Sequence, residues 1–500
     1  MTFNKKLSTL LWGTLIAVSV GNASAADAGQ SKVDESNEKP NILFVLADDL
    51  GYNDVGFNGS SDIKTPNLDG LAKNGMTFDA AYVAHPFCGP SRAAIMTGRY
   101  PHKIGAQFNL PEDNSNVGVS ADEPFIAQTM KNAGYFTGAM GKWHLGEAPQ
   151  FHPNKHGFDE FYGFLGGGHN YFPEQFEAAY NKRVAQGMTN INMYLTPLEH
   201  NGKEVRETEY ITDGLSREAV KFVDKAAAKK QPFFLYLAYN APHVPLQAKE
   251  EDMAVFSQIK DEKRRTYAAM VYAVDRGVGR IVEQLKANGQ LDNTLIVFMS
   301  DNGGKLGKGA NNYPLKEGKG SVQEGGFRTP MLMHWPKHTK AGTRFAHPVL
   351  ALDLYPTFAA LGKASLPEGK MLDGKNIWPA LQANEAPHKD EFIYVLRHRN
   401  GYSDAAARRN QFKAVKNHND DWKLYNIAQD ISEDNDISAQ HPDILRDMVS
   451  SMESWSWNNQ QPKWFHQSAE GAQWRLKAMP RFDQTFHVGD NTRNNSKKGH

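Results

Sequence analysis

Cys88 is the single cysteine of a 500-residue chain, and it sits in Cys88-Gly89-Pro90-Ser91-Arg92, followed by Met96-Thr97-Gly98-Arg99. A lone thiol forms no intrachain disulfide, which leaves packing or chemistry as its use. Pro90 suits the first turn of a helix. That placement sets Cys88 at the positive end of a helix dipole beside Arg92 and predicts an acidic, reactive thiol. The competing reading is a buried cysteine that behaves as a small hydrophobe. A second chemistry resides in Asp48-Asp49 and Asp301-Asn302. These side chains offer only oxygen donors, which suit a hard cation such as Ca2+ or Mg2+ rather than zinc. Either pair alone also reads as a turn or a cap; two such pairs at two strand ends favour the cation. Lys142 and His144 stand two residues apart, a spacing that turns both side chains to one face of an extended segment. The alternative is a surface lysine and a packed histidine beside Trp143. His243, between Pro242 and Pro245, and Lys319, in Glu317-Gly318-Lys319-Gly320, complete the set. Taken singly they also read as a loop histidine and a solvated lysine.

The elements that must carry these residues follow from the hydrophobic pattern. Asn41 to Leu46, Pro232 to Tyr239 and Thr294 to Met299 are continuous apolar runs of the kind found in buried parallel strands, and Tyr135 to Met140 leads into Gly141-Lys142-Trp143-His144. All four end in polar, ionisable residues. Ligands of open α/β sheets bind outside the carboxyl ends of the strands, so the four tips are expected to meet at one site. Helical periodicity over 213–229 and 261–287 predicts an α/β sandwich around a large, mixed, mostly parallel sheet. From about residue 386 the pattern changes. Strands at 391–396, 412–417 and 422–426 and a helix at 441–457 predict a smaller C-terminal α+β subdomain with an antiparallel sheet. The expected division is a catalytic domain at 40–385, the subdomain at 386–490 and a polar, mobile tail at 491–500.

Cys88-x-Pro90-Ser91-Arg92 with Thr97-Gly98-Arg99 resembles the signature of type I sulfatases, members of the alkaline phosphatase superfamily. The resemblance extends in order through Pro40 to Tyr52, Gly134 to Gly146, Ala241-Pro242-His243, Ser300 to Gly303, and Gly318-Lys319-Gly320 with Glu324-Gly325-Gly326 and Arg328. It implies that Cys88 is oxidised to formylglycine by a separate maturation enzyme, and that Asp48, Asp49, Asp301 and Asn302 hold one Ca2+ together with the modified residue 88. It further implies that Arg92 and Lys142 stabilise the hydrated aldehyde and the charge growing on the sulfuryl group. His144 is implied as the base that regenerates the aldehyde, and His243 and Lys319 as the groups that bind sulfate and protonate the departing oxygen. The route so implied is covalent: one hydroxyl of the hydrate attacks sulfur, and the second lets the aldehyde re-form.

Gly166 to Tyr171, with His169, and Arg397-His398-Arg399 are candidate cationic and aromatic contacts to a sulfated oligosaccharide, or else structural loops. The stretch from Phe158 to Phe172 and the C-terminal region look similar to marine bacterial sulfatases acting on red-algal galactans such as carrageenan. Four alternatives stand beside that reading: a glycosaminoglycan or N-acetylhexosamine sulfatase, a general arylsulfatase, a phosphodiesterase or phosphonate monoester hydrolase of the same superfamily, and a non-catalytic binding protein.

Lys5 and Lys6, the apolar stretch from Leu7 to Val20 and Ala23-Ser24-Ala25 read as a secretory signal peptide over 1–25. A polar linker at 26–39 follows, and a secreted, periplasmic enzyme is expected. The apolar stretch is too short for stable membrane insertion. Lysine plus arginine and aspartate plus glutamate number 56 each. That balance gives no support to nucleic-acid binding while leaving room for a local basic pocket.

Overall fold

Apolar side chains on both faces of the central strands dictate a sheet covered on both sides. In Asn41–Ala47, Ile42, Phe44 and Leu46 pack into one core and Leu43, Val45 and Ala47 into another, the alternation that a pleated strand imposes. The computed structural model describes residues 39–111, 116–187, 194–399, 402–417, 420–467, 469, 471, 472 and 474. The expected signal peptide, nearly all of the linker and the tail at 491–500 lie outside the described residues.

Ten strands form the main sheet in the order Thr343–Phe345, Met76–Phe78, Met331–His334, Thr294–Ser300, Asn41–Ala47, Phe233–Ala238, Phe136–Lys142, Glu160–Phe164, Glu199–His200, Lys203–Glu204. The five strands from Thr294–Ser300 to Glu160–Phe164 run parallel. The sheet is thus mixed and mostly parallel, as the sequence predicts. Helices Ile211–Lys229 and Glu262–Ala287 cover one face with Leu215, Phe222, Val274 and Ile281. Cys88–Thr97, Ile126–Asn132 and Leu354–Leu361 cover the other.

A four-stranded antiparallel sheet follows, ordered Ile393–Arg399, Tyr402–Arg409, Phe412–Lys416, Lys423–Asn426. Three strands match the sequence expectation. Tyr402–Arg409 was not foreseen, because Asp404-Ala405-Ala406-Ala407 carries no β-branched residue. Its three alanines are buried between neighbouring strands and the main core. Helix Pro442–Trp457 packs on this sheet through Met448, Met452 and Trp455.

Candidate active site

Backbone bonds between the strand tips build the floor of the site. Asp48 N–H donates to Ala241 O at 3.1 Å and Asp301 N–H to Ala47 O at 3.0 Å, which locks three adjacent tips together. Asn302 Nδ2 donates to Asp49 Oδ1 at 2.8 Å. Asp301-Asn302-Gly303-Gly304 is more than a surface turn. A Cβ on Gly303 would fall 1.8 Å from Gly325 O, and one on Gly304 would fall 2.6 Å from Gly51 Cα. Gly304 lets the loops carrying the two acidic pairs touch through their backbones, and Gly303 does the same toward the Gly325 segment. Asp49 adopts a left-handed backbone with φ 64°, a conformation tolerated at functional sites when the surroundings hold it.

Cys88 opens the helix Cys88–Thr97, with Phe87 extended before it and Pro90 in the first turn. The position is the expected one, but the expected acidity is not found. Complete burial raises the thiol pKa, and the opposing pull of Lys142 and Lys319 is offset in part by Asp48 and Asp301. In its unmodified form this cysteine is a buried thiol rather than an activated thiolate. Gly89 N–H donates to Asn109 Oδ1 at 3.0 Å, and Cys88 Sγ lies 3.9 Å from the same oxygen.

One turn along, Arg92 is wholly buried. Its Nε donates to Asp301 Oδ2 at 2.8 Å, Nη2 lies 3.5 Å from Asp48 Oδ2, and Nη1 donates to Lys142 O at 3.1 Å. Lys142 Nζ pairs with Asp48, and Lys319 Nζ with Asp49. Three cationic side chains therefore meet three carboxylates in a buried cluster. Burial drives Asp301 up to about 6, with Asp48 adding to the rise. Burial also raises Asp48, but Lys142, His243 and Arg92 overcome it and leave that carboxyl well below its usual range. Lys319 stays an ammonium because Asp49 and its neighbours outweigh the cost of burial.

Lys142 and His144 do reach one site, though not by sharing the face of a strand. The strand ends at Lys142, and His144 takes a left-handed backbone at φ 59°. Its ring is buried with neither nitrogen hydrogen-bonded. Burial first, then Lys142 and Arg92, hold its pKa well below the ordinary value, so it is a neutral imidazole. His243 Nδ1 lies 2.8 Å from Val244 O; a carbonyl only accepts, so Nδ1 carries the proton and Nε2 faces Asp49 Oδ2 at 3.7 Å. Burial lowers His243 to about 4.

Donor chemistry fits a hard cation. Asp48 Oδ1 and Asn302 Oδ1 are buried oxygens without a hydrogen-bond partner, and ligand atoms of Asp48, Cys88 and Asp301 lie within 4.8 Å of one another. Orphaned buried acceptors are costly unless something positive occupies the gap between them.

A cavity of about 210 Å³ opens over Cys88, between His144, His243, Lys319 and Asn109. Asn109, Tyr194, Lys305 and His466 line it too and carry no sequence motif. His466 reaches the site because Trp464 Nε1 and His466 Nδ1 bond the carbonyls of Phe108 and Leu110, a contact across 356 residues. Arg397 and Arg399 line two neighbouring cavities, of about 320 and 470 Å³. They belong to a strand, not a loop. His398 alternates to the buried side, its Nδ1 2.6 Å from Ser403 Oγ. His169 is buried against Phe176, ring centroids 4.3 Å apart, and lines a separate cavity of about 370 Å³.

Strand tips of a parallel sheet, buried acidic pairs and a residue at a helix start ringed by cations together make a site suited to a tetrahedral anion on a mixed α/β fold. The chain belongs to the sulfatase family, whose model matches residues 40–364, and it is a sulfuric ester hydrolase. A second family model, N-sulphoglucosamine sulphohydrolase C-terminal, matches residues 318–456. The chain is 35% identical over 368 residues to the N-acetylgalactosamine-6-sulfatase of Homo sapiens, covering 71% of this chain and 68% of that one. It is similar to the crystal structure of Ps i-CgsB in complex with k-i-k-neocarrahexaose, at 69% identity and TM-score 0.88, over 90% of this chain and all of the other. The PsFucS1 sulfatase from Pseudoalteromonas sp. follows at 26% identity and TM-score 0.70, with 84% and 90% covered.

Proposed function

We propose that this enzyme removes sulfate from a carrageenan-type oligosaccharide, using residue 88 as a formylglycine hydrate and one calcium ion held by Asp48, Asp49, Asp301, Asn302 and residue 88. The observation that carries the chemistry is the meeting of Cys88 with the carboxylates of Asp48 and Asp301 at the strand tips, where Asp48 Oδ1 and Asn302 Oδ1 have no hydrogen-bond partner. The likeness to Ps i-CgsB, seen with a neocarrahexaose, supports the substrate. When present, the ion and the hydrate supply a Lewis acid and an oxygen nucleophile.

This chain's own residues do the rest. Lys142 and Arg92 hold the carboxylates of Asp48 and Asp301 in place and oppose the negative charge carried by the sulfuryl oxygens, preorganised at no cost in water reorientation. Lys319, kept as an ammonium beside Asp49 on the cavity wall, is assigned with His243 to bind the sulfate and protonate the departing sugar oxygen. His243 flanks the same Asp49 carboxylate, its Nε2 3.7 Å from Oδ2, and lines the cavity with Lys319. His144, neutral and unpartnered beside the start of the helix, is suited to take a proton from residue 88. The cavity over Cys88 admits one sulfate and the edge of one sugar, while the Arg397–Arg399 side offers space for further sugars.

A second reading, a sulfated N-acetylhexosamine as substrate, draws on the 35% identity to N-acetylgalactosamine-6-sulfatase. Ion chromatography of sulfate released from neocarra-oligosaccharides and from N-acetylgalactosamine 6-sulfate separates them. Release from the galactan alone is expected; release from the hexosamine alone overturns the proposal. Export to the periplasm is part of the same proposal and rests on the leader motif.

A further inference from the structure

Arg397 touches the catalytic apparatus through backbone and ring rather than through the cavity. Its Nη1 donates to Gly320 O, and its guanidinium carbon lies 4.4 Å from the centre of the Phe87 ring. Phe87 directly precedes Cys88; Gly320 directly follows Lys319. The two segments are also joined by Gly320 N–H donating to Pro86 O at 2.9 Å. Lys319 Nζ stands 5.9 Å over the same Phe87 ring. Gly320 has φ +86°, and a Cβ there would fall 2.7 Å from Arg397 Nη1 and 3.0 Å from Phe87 Cζ. Glycine is required because the arginine and the ring close on it from two sides. Arg399 gives the same carbonyl a second donor at 3.2 Å while its Nε is held by Asp404 at 2.6 Å.

We infer that Arg397 is a positioning residue: it clamps Phe87 to Gly320 and thereby sets Lys319 relative to residue 88, so that the C-terminal sheet is part of the catalytic machinery. The inference rests on the reading that Lys319 acts at the sulfate. A planar guanidinium serves here because one side chain must stack on a ring and donate in its own plane at once. The rival role is a direct contact to a sugar, since Arg397 also borders the flanking cavities.

The two roles separate on a substrate too small to reach the flanking cavities. With calcium-loaded, aldehyde-bearing enzyme and 4-nitrophenyl sulfate, Arg397→Met is expected to lower kcat about tenfold with KM within about twofold, since small displacements of a catalytic group are costly. Arg397→Lys, which can still donate to Gly320 O, should recover part of that loss. Full kcat on the aryl sulfate, with a raised KM confined to oligosaccharides, overturns the clamp. A crystal structure of Arg397→Met gives a readout independent of turnover. The clamp predicts that Gly320 moves and Lys319 Nζ leaves Asp49; an unchanged Lys319–Asp49 contact contradicts it. Failure of the wild-type enzyme to release sulfate from any substrate would count against the catalytic reading alone, and the crystal structure would still judge the clamp.

Discussion

Charged side chains are used in opposite ways at the strand tips and on the C-terminal sheet. Around Cys88 the carboxylates of Asp48, Asp49 and Asp301 and the cations of Arg92, Lys142 and Lys319 are buried and face one another across a few ångströms. On the strand Ile393–Arg399, Arg397 and Arg399 are half-buried and spend their donors on a backbone carbonyl, a ring and one aspartate. The first arrangement is expensive in desolvation and stable only as a complete set. The second is cheap and directional. The charges nearest Cys88 are buried, and those that hold the Phe87–Gly320 contact stay half-exposed.

Four perturbations break or sharpen that contrast. The largest effect belongs to residue 88 itself. Cys88→Ser should keep the fold, since the exchange is nearly isosteric, yet lower multiple-turnover sulfate release by about 10³-fold or more, because no second hydroxyl clears the enzyme. Circular dichroism with steady-state kinetics checks both halves, and full turnover in that variant would sink the mechanism. Next is Arg92→Met, which removes the cation paired with Asp301 and leaves Asp48 to Lys142 alone. Denaturant unfolding of the metal-free protein should show a loss of about 3–5 kcal/mol, and added calcium should return part of it. A loss near zero would mean that the set is not interdependent.

A smaller effect is expected at the exposed rim. Lys305 borders both the catalytic cavity and the one beside it. Lys305→Ala should raise KM for a sulfated oligosaccharide about fivefold, roughly 1 kcal/mol, while leaving kcat and thermal stability unchanged. A fall in kcat instead would move Lys305 into the reacting group.

The smallest effect is remote from the site. His388 contacts Asp353 at 2.8 Å and Glu391 at 3.0 Å. Burial lowers its pKa, but the partnership with Asp353 outweighs it and the net shift is upward. A folded pKa above the unfolded value near 6.5 means that this stabilisation is fully present below about pH 6.5. It is lost as pH rises through the folded value. The stability gap between wild type and His388→Gln should therefore narrow from pH 5.5 to pH 9, as followed by urea midpoints; a gap that widens contradicts the assignment.

The same contrast explains what could be read from the chain. Asn41–Ala47 and Thr294–Ser300 announce themselves as unbroken apolar runs, and their acidic ends follow at once, so the floor of the site was visible residue by residue. His144 lines the cavity over Cys88 by a different route from the one its spacing suggests. Two-residue spacing implies a shared strand face, whereas a left-handed turn swings the ring in. The acidity expected of Cys88 failed because a helix dipole is a local effect, and burial, set by the whole fold, outweighs it. Asn109 and His466 lay beyond reach, since nothing within ten residues of either signals a contact made across the molecule. Arg397 was read as a candidate sugar contact, but its partners, Phe87 and Gly320, are 310 and 77 residues away in sequence and emerge only where the strand Ile393–Arg399 meets the loops that carry them.

Residue 88 is proposed to act as an aldehyde hydrate beside a bound calcium ion. Peptide mass analysis spanning Cys88, made on a preparation that is releasing sulfate from a neocarra-oligosaccharide, tests it most directly. The account predicts the mass of formylglycine or its hydrate in proportion to the active fraction. A fully active preparation whose residue 88 is an intact cysteine would contradict it.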